Sequence, residues 1–513
     1  MKHRILFSLA LAASIYFILV AGSTVPSFFR AGYFTPPTLD YARVQTELGE
    51  HLSSTTTFAG PQNPEFPDAT SRWSNWGEPT VQLVITPGEE ADVSTIVKYC
   101  VKNGIEFLAY NRGYAFTSTF KSFNGVLISL VNLNRITIQP DGKSAWFQGG
   151  TDVSQVVNHL WDRGFITTTG SAQCVSLLGP GLGGGYGDQQ GAHGMISDNF
   201  LQLNVVLADG STIRVNSTCH EDLFWGLKGA GHNFGIVTSV EMNIFPRESE
   251  FWYYHNYIWR GDKLVDVFNA VNELSTNGSL PLNMAVNYGT FMMNTTITDK
   301  EPVILWTFLY SGPTEEALPY MAKFDAIEAA WDEEGQLAYP DIPVARFNSL
   351  NASLCQKFDV DKMITTAGLQ VYNVTTELEI WNRFQQRIDS DPDLAASAFM
   401  VHEGYSNQAA LNVDPDDSAY PFRDDYHLMM FQGILASDST RKHDMWEWAR
   451  EVKDLWNAGQ PGRKPDAYVN YANGYEGPEQ WYGYEPWRLE KLRRLKAKYD
   501  PKNRFRFFNP IIN

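Results

Sequence analysis

Along the chain the hydrophobic positions change texture at Pro246. Upstream of it, short apolar runs alternate with stretches of helical spacing. Residues 81–85 read as a strand ended by Pro87-Gly88, and Val93, Ile96, Val97 and Cys100 fall on one helical face with Gly104 just beyond. A strand over 105–109 runs into a turn at Asn111-Arg112-Gly113. A second unit gives strands over 126–130 and 145–148 and a helix over 152–163. Asp209-Gly210, between apolar runs at 205–208 and 212–215, predicts a two-residue hairpin. A short helix follows over 221–228. Residues 236–244 alternate, with Ile236, Val240, Met242 and Ile244 on one face and Ser239, Glu241 and Asn243 on the other.

Downstream the strands lengthen (251–259, 303–310, 427–435) and helical stretches such as 314–331 lie between them. This predicts a second region built on an antiparallel sheet with helices on one side. The last helix carries Leu489, Leu492, Leu495 and Tyr499 and stops at Asp500-Pro501. Residues 24–70, rich in Pro, Ser and Thr, read as a weakly structured lead-in. The fold class is therefore α+β, in more than one domain at 513 residues.

Charge and the N-terminus narrow the picture. A formal net charge of −18 argues against nucleic acid as a partner, because phosphate binding needs a basic surface. Lys2, His3 and Arg4 precede an apolar run over 5–20 and the small residues Ala21, Gly22 and Ser23, the layout of a secretory signal over 1–23. The competing reading is an uncleaved anchor; no later segment has the length and apolarity to span a bilayer. Five sequons (Asn216, Asn277, Asn294, Asn351, Asn373) agree with export, and three of them predict a surface-rich stretch over 277–351. Cys100, Cys174, Cys219 and Cys355 are too few for a disulfide scaffold, and their pairing is open.

The chemistry centres on residues 179–187, with six glycines in nine positions. Gly179, Gly181 and Gly184 match G-x-G-x-x-G, but no amphipathic helix opens there and no acidic strand end follows about 20 residues on, so a dinucleotide fold of that type is rejected. Absent side chains would let backbone N–H groups approach a pyrophosphate; the bland alternative is a flexible turn. Asn111-Arg112-Gly113-Tyr114 and the glycine loop over 229–235 supply two further candidate loops for a convergent anion site. His193 and His232, beside the glycine loops, are read as bonding to backbone. There is no His-Glu-x-x-His zinc signature and no Gly-x-Ser-x-Gly elbow.

In order, Asn111-Arg-Gly, Gly170-Ser-x-x-Cys-Val175, Leu182-Gly-Gly-Gly-Tyr-Gly187, Asp198-Asn199, Asp209-Gly210, Glu221-Asp-Leu-Phe-Trp225 and Asn233-Phe-Gly-Ile-Val-Thr238 resemble the FAD domain of the berberine-bridge-enzyme-like oxidases, of the vanillyl-alcohol-oxidase type. Tyr468-Val-Asn-Tyr471, Trp481-Tyr-Gly483 and Lys498-Tyr-Asp-Pro501 continue the match near the C-terminus. The resemblance implies an FAD domain over 72–246, completed by 465–513, with 247–464 as substrate domain. It implies FAD contacts from Asn111, Arg112, Gly113, Tyr114, Ala115, Ser171, Ala172, Cys174, Gly179, Gly183, Gly184, Gly185, Tyr186, Gly235, Ile236 and Val237.

It further implies a tyrosine base from Tyr468 or Tyr471, with Asn470 orienting, hydride transfer to flavin N5, and oxygen as acceptor. Family members commonly bond flavin through a His where this chain has Tyr114 and a Cys where it has Ala172, so non-covalent FAD is expected; Cys174 would substitute only if its loop shifted. The expected substrate is a small, rather hydrophobic molecule of specialised metabolism, in the manner of fungal members. The rival reading is a non-redox cyclase or isomerase on the same scaffold, working by orientation.

Overall fold

The computed structural model describes residues 39–275 and 280–512; the expected signal over 1–23 and the sequon Asn277 lie outside them. Within 41–512, three main sheets organise the chain. The first is four-stranded, in the order Thr57–Ala59, Thr80–Thr86, Asn124–Ser129, Phe107–Tyr110. Its last three strands are parallel, joined through the helix Glu90–Asn103, which ends on Gly104 at φ 67°. Glycine reaches that left-handed conformation without Cβ strain.

The second sheet is antiparallel and five-stranded: Ile136–Ile138, Ser144–Gln148, Ile236–Asn243, Phe200–Val206, Thr212–Asn216. The third is antiparallel and seven-stranded, and every strand comes from the downstream texture. Its order is Trp331–Leu337, Trp252–Trp259, Thr298–Tyr310, Met284–Asn294, Ala398–Tyr405, His427–Ala436, Val360–Leu369. One face is covered by the helices Leu264–Leu274, Thr314–Asp325, Val374–Ser390 and Lys442–Ala458 around Trp259, Trp306, Phe431 and Trp448. The residues from 467 onward return to the core of the five-stranded sheet, where Leu489, Leu492 and Leu495 are buried beside Leu223, Leu227 and Phe234.

Several sequence expectations are corrected. The lead-in is ordered from its helix Tyr41–Gly49 onward, and Thr57–Ala59 pairs with Thr80–Thr86 through Phe58 opposite Ile85. Its Ser and Thr residues are donors, not linker: Ser53 and Thr56 both bond the Asp92 carboxylate, at 2.6 and 2.8 Å. The hairpin at Asp209-Gly210 forms, Phe200–Val206 pairing with Thr212–Asn216, but its loop is longer than two residues and is closed by Leu207 N–H donating to Ser211 O (2.9 Å). The helix over 314–331 stops at Asp325, and Trp331 opens an edge strand. Neither face of Ile236–Asn243 is open, because the helix at Glu90 covers the polar one: Thr238 and Ser239 both donate to the Glu90 carboxylate at 2.8 Å. Of the stretch expected to be surface-rich, Met284–Asn294 and Thr298–Tyr310 are inner strands of the large sheet, whereas the segment 315–337 is largely exposed, as expected.

Candidate active site

At the end of Phe107–Tyr110 the chain turns sharply, and Gly113 adopts φ 74°. The backbone N–H groups of residues 111–115 donate to no described group. Successive backbone N–H groups in a turn that includes a left-handed residue form a nest able to hold an anion. Side chains tie this loop to its neighbours. Asn111 Nδ2 donates to Gly149 O (2.5 Å) and Arg112 Nη2 to Gly150 O (3.3 Å). Gly149 N–H donates to Thr238 O (2.7 Å), which brings Gly235, Ile236 and Val237 alongside.

Arg112 also pairs with Asp152 (2.9 Å), the N-cap of the helix Val153–Trp161. Arg72 donates to Ala115 O, and Lys357 Nζ lies 3.1 Å from Tyr110 Oη. Burial, together with Arg112 and Arg72, brings the Lys357 ammonium down to about 8. Arg112, Arg72 and Lys357 thus lie close to one another with Asp152 paired to Arg112 alone, and the buried Nε atoms of Arg72 and Arg112 have no protein partner. This donor set fits the pyrophosphate of FAD.

The glycine segment works differently from the sequence expectation. Gly179 N–H donates to Ser176 Oγ (3.1 Å), Gly183 N–H to Pro180 O (2.9 Å) and Gly184 N–H to Gly181 O (3.1 Å), so these groups are not free for phosphate. Glycine is required because other groups occupy the Cβ positions. A Cβ on Gly183 would fall 2.3 Å from Asn470 Oδ1, and one on Gly187 would fall 1.7 Å from Thr169 O. Gly184 and Gly185 are left-handed, at φ 99° and 87°.

That close approach seats a buried group of phenols. The rings of Tyr186 and Tyr468 meet edge-on at 5.1 Å, and those of Tyr468 and Tyr471 at 5.0 Å. Each such pair contributes about 1 kcal/mol beyond area burial. Asn470 Nδ2 donates to Tyr468 Oη (2.7 Å) and to Pro180 O (2.9 Å), so it holds the Tyr468 ring against the glycine segment. Tyr468 accepts two bonds and Tyr471 donates to Glu403, at 3.0 and 3.1 Å from its two carboxylate oxygens. Burial raises both phenols well above the usual tyrosine range, and the Glu403 charge adds to the rise at Tyr471.

Glu403 is the residue that sequence reading missed. It lies on Ala398–Tyr405, where Met400 and His402 face the helices while Val401, Glu403 and Tyr405 face the glycine segment, the period of two that a strand imposes. Burial pushes its carboxyl up to about 7, against the lowering pull of the Tyr471 and Tyr405 hydroxyls and of Arg346. Its signal in the sequence is one acid in the apolar run Ala-Phe-Met-Val-His-Glu-Gly-Tyr. Beside it, Arg346 pairs with Asp188 at 2.7 Å, both side chains buried, and Ser171 Oγ donates to the same Asp188 oxygen (2.9 Å).

Cys174 is disulfide-bonded to Cys355, so its sulfur is not free to bond flavin; Cys100 and Cys219 are unpaired. Tyr114 donates to Cys355 O (2.5 Å) and lies beside Trp73, its ring centroid at 6.4 Å; Ala172 accepts from Val175 N–H (3.2 Å). His232 bonds Gly179 O (2.9 Å) and burial lowers it to about 4, while His193 stacks on Phe245 at 3.7 Å. Among the described residues no cluster of His, Cys, Asp or Glu has the makings of a metal site, and no helix is long and apolar enough to cross a membrane.

Known proteins match this arrangement. Residues 81–216 match the FAD binding domain family and 467–512 the family described as berberine and berberine like. The FAD-linked oxidoreductase anuG of Penicillium roqueforti is 47% identical over 478 residues, covering 93% of this chain and 94% of its own. A Physcomitrella patens BBE-like 1 structure superposes with a TM-score of 0.77 at 19% identity, over 92% of this chain and 99% of that one. So does a glucooligosaccharide oxidase of Acremonium strictum, whose FAD is described as 6-S-cysteinyl, 8α-N1-histidyl (TM-score 0.74, 21% identity, 91% and 98% covered). With its α+β fold, its phosphate nest and these relatives, the chain belongs to the berberine-bridge-like family of FAD-linked oxidoreductases and takes FAD as cofactor.

Proposed function

We propose that this enzyme oxidises a small organic molecule of specialised metabolism, with oxygen as the final acceptor and FAD held without a covalent bond. The observation that carries the reading is the Tyr471–Glu403 pair, a buried proton acceptor at the meeting of the glycine segment, the large sheet and the C-terminal return. Bound FAD supplies a hydride acceptor. The chain supplies the proton route. A tyrosine whose phenolate is disfavoured by burial is a poor base alone. Tyr471 avoids the free phenolate by passing its own proton to Glu403 as its oxygen takes one from the substrate. Burial disfavours the Glu403 carboxylate, which poises it near neutrality.

Support for a hydrophobic substrate comes from the wall beside Tyr471, where Phe116 lies 5.8 Å from its ring with Ile364, Val401 and Met430 behind. Support for non-covalent FAD comes from Tyr114 and Ala172, which stand where relatives bear the tethering His and Cys. Export to an oxidising compartment is supported by the Cys174–Cys355 bond and by the exposed sequon at Asn351.

The test is anaerobic mixing of the yellow holoprotein with a panel of hydrophobic alcohols, phenols and reduced heterocycles. Substrate turnover must bleach the flavin, and because Glu403 acts ionised, the bleaching rate should rise with pH and level off above about 7. Turnover with the flavin still oxidised would sink the redox reading and leave the cyclase.

A further inference from the structure

Residues 338–359 join the two opposite edges of the seven-stranded sheet, from Trp331–Leu337 to Val360–Leu369. The edges of such a sheet are about 29 Å apart. A connection of this length with only single turns of helix is uncommon and usually functional. This one bonds to the loops at 171–174 and 111–115 along the way.

Its first half grips the loop at 171–174. Gln173 N–H donates to Asn348 O (3.2 Å), Gln173 Nε2 to Pro340 O (3.1 Å), and Leu350 N–H to Gln173 Oε1 (3.0 Å). Arg346 reaches the buried Asp188 beyond. Its second half grips the loop at 111–115 and the strand lead-in: Cys355 O accepts from Tyr114, Leu354 O accepts from Trp73 Nε1 (2.7 Å), and Lys357 Nζ donates to Ser71 O (3.1 Å). Cys355 is the pivot, because its carbonyl holds Tyr114 while its sulfur holds Cys174.

We propose that this crossover is a clasp, locked by the Cys174–Cys355 disulfide and the Tyr114 hydroxyl, which retains FAD in a chain that has no covalent tether to it. The clasp rests on the non-covalent reading above. It couples the two loops that carry positions 114 and 172 to each other, and it carries Lys357 to the cation group of Arg72 and Arg112. The buried Oδ1 of Asn348, unpartnered within the protein, belongs to the same span. Tyr114 and the cysteines act as positioning residues. Opening the lock frees both loops at once, so FAD leaves faster while the sheets stay folded.

A water-soluble phosphine tests this. It takes up the oxygen of one water to become the phosphine oxide, delivers two electrons to the disulfide, and leaves two thiols. Untreated holoprotein is first acid-precipitated; a coloured pellet would overturn the non-covalent reading and the clasp with it, whereas flavin in the supernatant is expected. Holoprotein is then reduced and ultrafiltered. FAD should pass into the filtrate at least tenfold faster than from oxidised protein, with far-UV circular dichroism unchanged. Equal release rates with flavin still non-covalent would overturn the clasp alone. Cys219→Ser should respond to the reductant as wild type does, because Cys219 is unpaired. Should reduction unfold the chain, Tyr114→Phe decides with the disulfide intact: several-fold faster release and a shifted visible flavin band are expected, and no change in either would overturn it.

Discussion

The two ends of the site are built on opposite principles. At the 111–115 end, donors are left over: backbone N–H groups and the Nε atoms of Arg72 and Arg112 meet no protein partner, and Lys357 stands beside them. At the Glu403 end, Tyr405 and Tyr471 donate to the acid, Tyr186 bonds the Tyr420 hydroxyl, and Tyr468 accepts from the Tyr186 backbone N–H. Surplus donors pull in an anion from outside. A satisfied network holds a proton acceptor at a fixed level and releases it only to a correctly placed substrate. One end binds and the other reacts, and damage to each should show in a different measurement.

The largest separation should come from Glu403→Gln. The amide keeps the bond to Tyr471 but takes no proton, so anaerobic flavin reduction should fall by about a hundred- to ten-thousand-fold. The purified protein should still carry one FAD per chain. A variant that lost FAD in proportion to its rate would merge the two ends. Gly113→Ala attacks the other end. Its backbone is left-handed and the new Cβ would meet Ser71 O and Tyr110 Oη at 2.8 Å. Strain of about 1 kcal/mol or more should weaken FAD binding roughly tenfold, read by titration of apoprotein. Unchanged affinity would mean that the loop is not the nest.

The smallest effect is expected from Lys357→Met, a few-fold weaker FAD affinity with a flatter dependence on salt, since one cation leaves the group. An unaltered salt slope would remove Lys357 from the binding end.

The same contrast explains what could be read in advance. The binding end is local. Asn111, Arg112 and Gly113 are consecutive, and a glycine after a strand already implies the turn. The long strands and the closing helix were equally plain, because burial of one face writes its period into the sequence. The reacting end is assembled from residues near 186, 403 and 471, and no period links segments so far apart. Glu403 was therefore invisible as a partner of Tyr471. The glycines of 179–187 were legible as unusual but misread in purpose, since nothing local tells a free N–H from a Cβ position filled by Asn470. Cys174 and Cys355, 181 residues apart, posed the same difficulty.

The outer strand Trp331–Leu337 carries Asp332, Glu333 and Glu334 in succession, all exposed. Unpaired strand edges recruit other chains into growing sheets. A second copy approaching this edge in antiparallel register would set carboxylates against carboxylates. With such a border the protein can be concentrated without its largest sheet becoming a template for fibres.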